Sequence, residues 1–125
     1  MNLVEAIKKV ESGGNSNAIG DRKLRYSAYG SMQIRWPAVQ DVNRAFGTNY
    51  RARQCLGNDV LSEEIFTKYC KLYANKKMLG REPTPKDFCR LWNGGIYAML
   101  HDPHPNPKIE KMLTSYWNKI NSLLD

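Results

Sequence analysis

The chain has 125 residues, a single-domain length able to bury one hydrophobic core without disulfide or metal staples, so residues 1–125 read as one domain. A composition of 42% hydrophobic and 25% charged residues excludes a disordered or fibrous chain, and no stretch is apolar for long enough to span a membrane. Nineteen basic against 12 acidic residues leave a net charge of +7 and a pI near 9.4, which favours anionic partners: nucleic acid, an anionic membrane or an anionic wall polymer.

Leu3, Ile7 and Val10 recur at helical spacing with Ala6 beside them, and Gly13-Gly14 ends the segment in the way glycines commonly end helices. Glu11 falls in the last turn. The carbonyl end of a helix disfavours negative charge there, which favours a protonated carboxyl. From Asn15 to Ser31 the Gly, Ser and Asn content indicates a loop, with strand character around Leu24–Tyr29. Trp36-Pro37 opens a second helix with Pro in its first turn, turning Val39, Val42 and Phe46 inward and ending at Gly47. Asp59 or Ser62 caps a third, whose apolar stripe is Ile65, Tyr69, Leu72 and Tyr73, before Gly80. Thr84-Pro85-Lys86-Asp87 has the form of a capping box with Asp in place of Glu, and starts a helix through Phe88, Leu91 and Trp92. After a loop at Pro103–Pro107, the last helix places Ile109, Met112, Leu113, Tyr116, Trp117, Ile120 and Leu124 on one side. The expected fold is mainly α, with five or six helices and a short irregular or β-like insertion near residues 15–31.

Cys55, Cys70 and Cys89 cannot all pair within one chain and show no C-x-x-C spacing, so they read as buried free thiols. His101, Asp102 and His104 lie in a proline-bounded loop and read as structural or exposed side chains. No metal and no cofactor is assigned. The basic residues are densest at Arg22–Arg25 and Arg51–Arg53, without an RNA-binding or zinc-finger signature, so nucleic acid is not an expected partner.

Three patches occur in fixed order: Glu11-Ser12-Gly13-Gly14-Asn15, then Ala28-Tyr29-Gly30-Ser31-Met32-Gln33-Ile34, then Arg90-Leu91-Trp92-Asn93-Gly94-Gly95. In that order they resemble the lytic transglycosylase and goose-type lysozyme families, whose catalytic domains run Glu-Ser, Gly-x-Met-Gln and an Ala-Tyr-Asn-x-Gly-like segment. The resemblance spans nearly the whole chain. It implies a lysozyme-like domain that cleaves the β-1,4 bond between N-acetylmuramic acid and N-acetylglucosamine in peptidoglycan, with Glu11 protonating the leaving oxygen. In the lytic reaction the same carboxylate then takes a proton from the substrate's own C6 hydroxyl, closing a 1,6-anhydro ring. Inverting hydrolysis needs a second carboxylate about 6.5–9.5 Å away to activate water. Asp21 resembles the acid that goose-type lysozymes carry in this loop, and reads equally as a turn residue.

A second acid of those lysozymes, just after Met-Gln, falls on Arg35 here. A cation close to Glu11 would work against a protonated acid, so Arg35 is expected to point towards peptidoglycan carboxylates or an internal acid. Gln33 matches the substrate-contacting Gln, and Asn93 the Asn of the third motif. The Tyr of that motif is replaced by Trp92, which leaves any hydroxyl role to Tyr29 or Tyr97. The resemblance thus implies Glu11 and Asp21 as catalytic candidates, with Ser12, Tyr29, Gln33, Trp92, Asn93 and Tyr97 as substrate-binding candidates. Trp36 and Trp92 read as half-buried packing before sugar platforms.

The expected partner is peptidoglycan and the expected state a monomer acting at the cell wall, periplasmic or extracellular. Met1–Glu5 lacks a secretory signal pattern, so the expected routes are a phage lysin released through a membrane pore, a virion-associated enzyme, or a mature chain. Two other readings stand beside this one. A non-catalytic wall-binding or assembly module on the same fold is motivated by Arg35 and Trp92, and a basic helical nucleic-acid binder by the charge.

Overall fold

The computed structural model describes residues 1–125. Helices dominate: α1 (Leu3–Ser12), α2 (Trp36–Phe46), α3 (Asp59–Tyr73), the single turn α4 (Lys76–Leu79), α5 (Pro85–Leu100) and α6 (Pro107–Leu123). Between α1 and α2 lie two short strands, β1 (Ile19–Gly20) and β2 (Ala28–Tyr29), paired antiparallel with Ile19 opposite Tyr29 and Gly20 opposite Ala28. A 3-10 turn, Ala52–Cys55, precedes α3. The mainly α fold with a small β insertion is therefore present. Its strands leave residues 21–27 as the hairpin tip, so Leu24 is not in a strand. No helix is long and apolar enough to cross a membrane.

The chain divides into two compact units, residues 7–69 and residues 1–6 with 70–125, with boundaries inside α1 and α3.

In the first unit, α1 stops where Gly13 and Gly14 take left-handed φ of 67° and 84°, their N–H groups donating to Lys9 O at 2.9 Å and Lys8 O at 3.1 Å. Those bonds satisfy carbonyls that a helix end otherwise leaves open. α2 has Pro in its first turn and ends at Gly47, also left-handed. Val39 and Val42 are fully buried, but Phe46 is 41% exposed, with Lys68 Nζ 5.5 Å from its ring centroid. The cap of α3 is Asn58, whose Oδ1 accepts the Leu61 N–H at 3.0 Å, and not Asp59 or Ser62. Ile7, Met32, Ile34 and Ile65 are fully buried as well.

In the second unit, the helix expected to run on to Gly80 is two. α3 ends at Tyr73, and Asn75 caps α4 by accepting the Met78 N–H at 3.0 Å. The Thr84–Asp87 box forms as its spacing requires: Asp87 Oδ2 accepts the Thr84 N–H at 2.8 Å. The buried Asp87 is also held by Arg81 at 2.7 and 2.9 Å. Burial opposes its ionisation, but Arg81 and Thr84 outweigh that and keep its carboxyl below the ordinary value. α5 breaks at Gly95, where φ is 88° and ψ −176°. A Cβ on Gly94 would lie 2.6 Å from Leu113 Cδ2 and 2.7 Å from Ala98 Cβ, so only glycine lets α5 lie this close to α6. Leu113, Tyr116 and Ile120 form the buried face of α6, while Met112, expected there, is 49% exposed.

Arg90, 1% exposed, braces the broken helix. Its Nε donates to Ala98 O at 2.8 Å and its Nη2 to His101 O at 2.7 Å. Both Nη groups grip Glu110, at 3.0 and 2.8 Å. Glu110 also accepts the His104 N–H at 2.6 Å and the Thr114 hydroxyl at 2.8 Å. The guanidinium foremost, then the His104 N–H, hold the Glu110 carboxyl at about 2, against an ordinary 4.5. A carboxyl whose value is lowered by folding adds stability above its unfolded value and loses it as the pH falls through the folded one. The advantage of the native chain over Glu110→Gln is thus expected to be full above pH 4.5 and to vanish as the pH falls to about 2. Thermal midpoints across that range check it; a constant difference would contradict it.

The three cysteines are buried and free. Burial pushes the Cys70 thiol up to about 12, so it is not a thiolate at neutral pH and offers no nucleophile.

Candidate active site

The first two sequence patches meet through Ser12. Its hydroxyl, in the last turn of α1, donates to Ser31 O at 2.8 Å, with Lys8 O at 3.1 Å as a second acceptor. Ser31 Oγ in turn donates to Asp59 Oδ1 at 2.7 Å. The helix turn that carries the half-buried Glu11 is thereby fastened to the turn Gly30–Gln33, and both to the start of α3. Ser12, a substrate-binding candidate from the sequence, makes this structural bond. Ser31 and Asp59 were missed, because nothing in a sequence signals a hydroxyl bonding across 28 residues.

The Gly30–Gln33 turn is closed by a reciprocal pair, Tyr29 N–H to Ile34 O and Ile34 N–H to Tyr29 O, each 2.9 Å. Gly30 has φ of 80°, and a Cβ there would lie 2.7 Å from Cys55 O, so a larger residue would force the turn off the 3-10 segment. Gln33 also sits at positive φ, 56°, and the one other non-glycine to do so is Asp21, at 54°. Left-handed backbone costs an ordinary side chain about 1–2 kcal/mol, and such cost tends to collect at functional positions. The Gln33 amide Nε2 donates to Gly30 O at 3.0 Å and more weakly to Ala18 O at 3.5 Å. Its Oε1 packs so closely over Gly20 that a methyl group there would collide with it. Gln33 is thus set in one pose by the hairpin.

Lys8 and Arg35 both pair with carboxylates of this unit. Lys8, three residues earlier on α1, has its Nζ 3.7 Å from Asp59 Oδ2 and 3.4 Å from Glu63 Oε1. Arg35 pairs with Asp21, an internal acid. Asp21 occupies its left-handed turn with its carboxylate on that guanidinium, both side chains being partly exposed. An acid so placed is engaged on one oxygen and must leave the pair before it can turn to a water. Tyr29 is half-buried, with the Arg53 guanidinium 6.0 Å from its ring centroid.

The other candidates lie on α5 in the second unit. Trp92 is half-buried. Asn93 Oδ1 is a buried acceptor to which no protein group donates, an unusual state for a buried polar atom. Its neighbours in the Asn93-Gly94-Gly95 segment serve the backbone, Gly94 by close approach and Gly95 by the break. Tyr97 is 52% exposed. It stacks on His101 with centroids 3.8 Å apart and meets His104 edge-on at 5.2 Å. His104 Nδ1 accepts the Asn106 N–H at 3.0 Å, and Asp102 pairs with Lys86 at 2.9 Å. No group of three or more His, Cys, Asp or Glu is arranged to hold a metal ion. An open groove of about 890 Å³ along α6, between His104 and Ser122, contains none of the catalytic or substrate-binding candidates.

No known protein family matches this sequence, and no curated protein matches it either.

Proposed function

We propose that this chain cleaves peptidoglycan glycan strands at the β-1,4 bond between N-acetylmuramic acid and N-acetylglucosamine, with Glu11 as the general acid. The observation that carries the reading is the Ser12 to Ser31 bond, which fastens the Glu11 turn to the Gly30–Gln33 turn and so supports treating the two patches as one site. Lys8 and Arg35 are each paired with other carboxylates, so the charge of neither is left over to oppose a protonated Glu11.

Of the two chemical routes, lytic transglycosylation fits better. Glu11 gives its proton to the glycosidic oxygen as the C1–O bond breaks. The resulting carboxylate takes the proton of the C6 hydroxyl, whose oxygen closes on C1 to form the 1,6-anhydro ring. One carboxylate suffices, and no water is consumed. Hydrolysis would call on Asp21, which Arg35 holds.

Asp21→Asn is the variant that separates the routes. An exposed ion pair contributes at most about 1 kcal/mol, and Asn accepts left-handed backbone readily. Release of soluble fragments from purified cell-wall sacculi by this variant is expected to stay within about tenfold of the native rate. A loss of about 10²–10⁴, the size of a general-base contribution, would make Asp21 the base and the reaction a hydrolysis. Tight sacculus binding by the native chain with no fragment release would favour the wall-binding module.

A further inference from the structure

Between β1 and β2, the hairpin tip presents Arg22, Lys23, Leu24 and Arg25 in succession, all four exposed. The tip is shaped by the left-handed Asp21, whose carbonyl accepts the Leu24 N–H at 2.9 Å. Lys8, Arg35 and Lys68 pair with acids of this unit, and none of those pairs involves Arg22, Lys23 or Arg25. Asp21, the acid next to them, is neutralised by Arg35. Three exposed cations of a chain with net charge +7 therefore stand within four residues. Such self-repulsion does nothing for the fold. Leu24 stands among them with 55% of its surface in water, and the Arg25 guanidinium lies 5.2 Å from the centroid of the half-buried Tyr26 ring.

We infer that this tip, Arg22 to Tyr26, is a docking site for an anionic lipid surface, with the three cations on phosphate headgroups and Leu24 in the headgroup–acyl boundary. The leucine decides the partner. Cations alone would serve a wall polymer or a nucleic acid equally well, but neither offers an apolar side chain anything, whereas the bilayer interface takes up leucine and amphipathic tyrosine. A surface of this kind holds a protein at the membrane without spanning it. The inference is independent of the glycan-cleavage reading, because none of these side chains is a candidate for that chemistry.

Cosedimentation with vesicles of phosphatidylcholine containing phosphatidylglycerol, against phosphatidylcholine alone, tests it at low and physiological salt. The native chain is expected to pellet with the anionic vesicles only. Each cation near such a surface is worth about fivefold in partition, so R22Q/K23Q/R25Q together should weaken binding about a hundredfold and flatten its salt dependence. Leu24→Ser should weaken it about tenfold while leaving the salt dependence intact. Both variants should fold and release soluble fragments from sacculi at the native rate, which keeps this test separate from that of the catalytic reading. No binding to anionic vesicles at low salt would overturn the inference. So would native-like binding by Leu24→Ser, which would make the patch a reader of charge alone, or by the triple charge variant, which would place the contact elsewhere.

Discussion

Replacing Glu11 by Gln is expected to lower glycan cleavage by about 10²–10⁴, the range of a general-acid contribution, while the chain folds as before. Gln matches Glu in size and keeps acceptor capacity, but it has no proton to give to a leaving oxygen. The residue sits at the carbonyl end of α1, where loss of a negative charge does not weaken the helix. It is only half-buried, so the unfolding free energy should change by less than about 1 kcal/mol. Ser12 and its bond to Ser31 remain, so the Gly30–Gln33 turn keeps its place. Rate and fold therefore separate in this variant. Urea midpoints beside fragment-release rates check the two halves, and near-native turnover would remove Glu11 from the mechanism.

The largest stability loss is expected at Arg90→Met, about 3–5 kcal/mol, because truncating one partner of a buried ion pair strands the other. Arg90 is 1% exposed and meets Ala98 O, His101 O and both oxygens of Glu110. Methionine fills much of the stem's volume but donates nothing, leaving two carbonyls short of a donor and Glu110 with only the His104 N–H and the Thr114 hydroxyl. A domain of this size has about 5–15 kcal/mol to lose, so the variant should unfold at a much lower urea concentration. Arg90→Lys should recover only part, since an ammonium cannot supply the fork that spans the two carboxylate oxygens. A loss below about 1 kcal/mol for Arg90→Met would show that the brace contributes little to the fold.

Features that depend on chemistry within a few residues were legible in the sequence. The Gly13-Gly14 stop, the Pro37 start and Gly47 stop of α2, and the Thr84–Asp87 box are each decided by backbone freedom or a short side-chain bond, and each lies where expected. Asn58 took the cap expected at Asp59 or Ser62, since an Asn side chain suits it equally, and Asp59 is drawn off by Ser31 and Lys8. Phe46 and Met112 fall on the apolar stripes of their helices yet remain exposed. Periodicity tells which side of a helix is apolar but not how far the neighbouring chain extends to cover it.

The site divides in the same way. The order of its patches is visible as residues, whereas what engages each of them is not. Arg35 was expected to find either an internal acid or the substrate, and only the fold picks Asp21, 14 residues away. A fully buried arginine gave no warning at all, because charged side chains are almost never buried without a partner that sequence cannot name; for Arg90 that partner is 20 residues distant.

The most direct test of glycan cleavage by Glu11 is mass spectrometry of the soluble products released from purified peptidoglycan, with Glu11→Gln run in parallel. The account predicts disaccharide fragments from the native chain ending in anhydro-muramyl residues, lighter by one water than reducing ends, and essentially none from the variant. Fragments of the same kind and amount from both proteins, or none from the native chain, would contradict it.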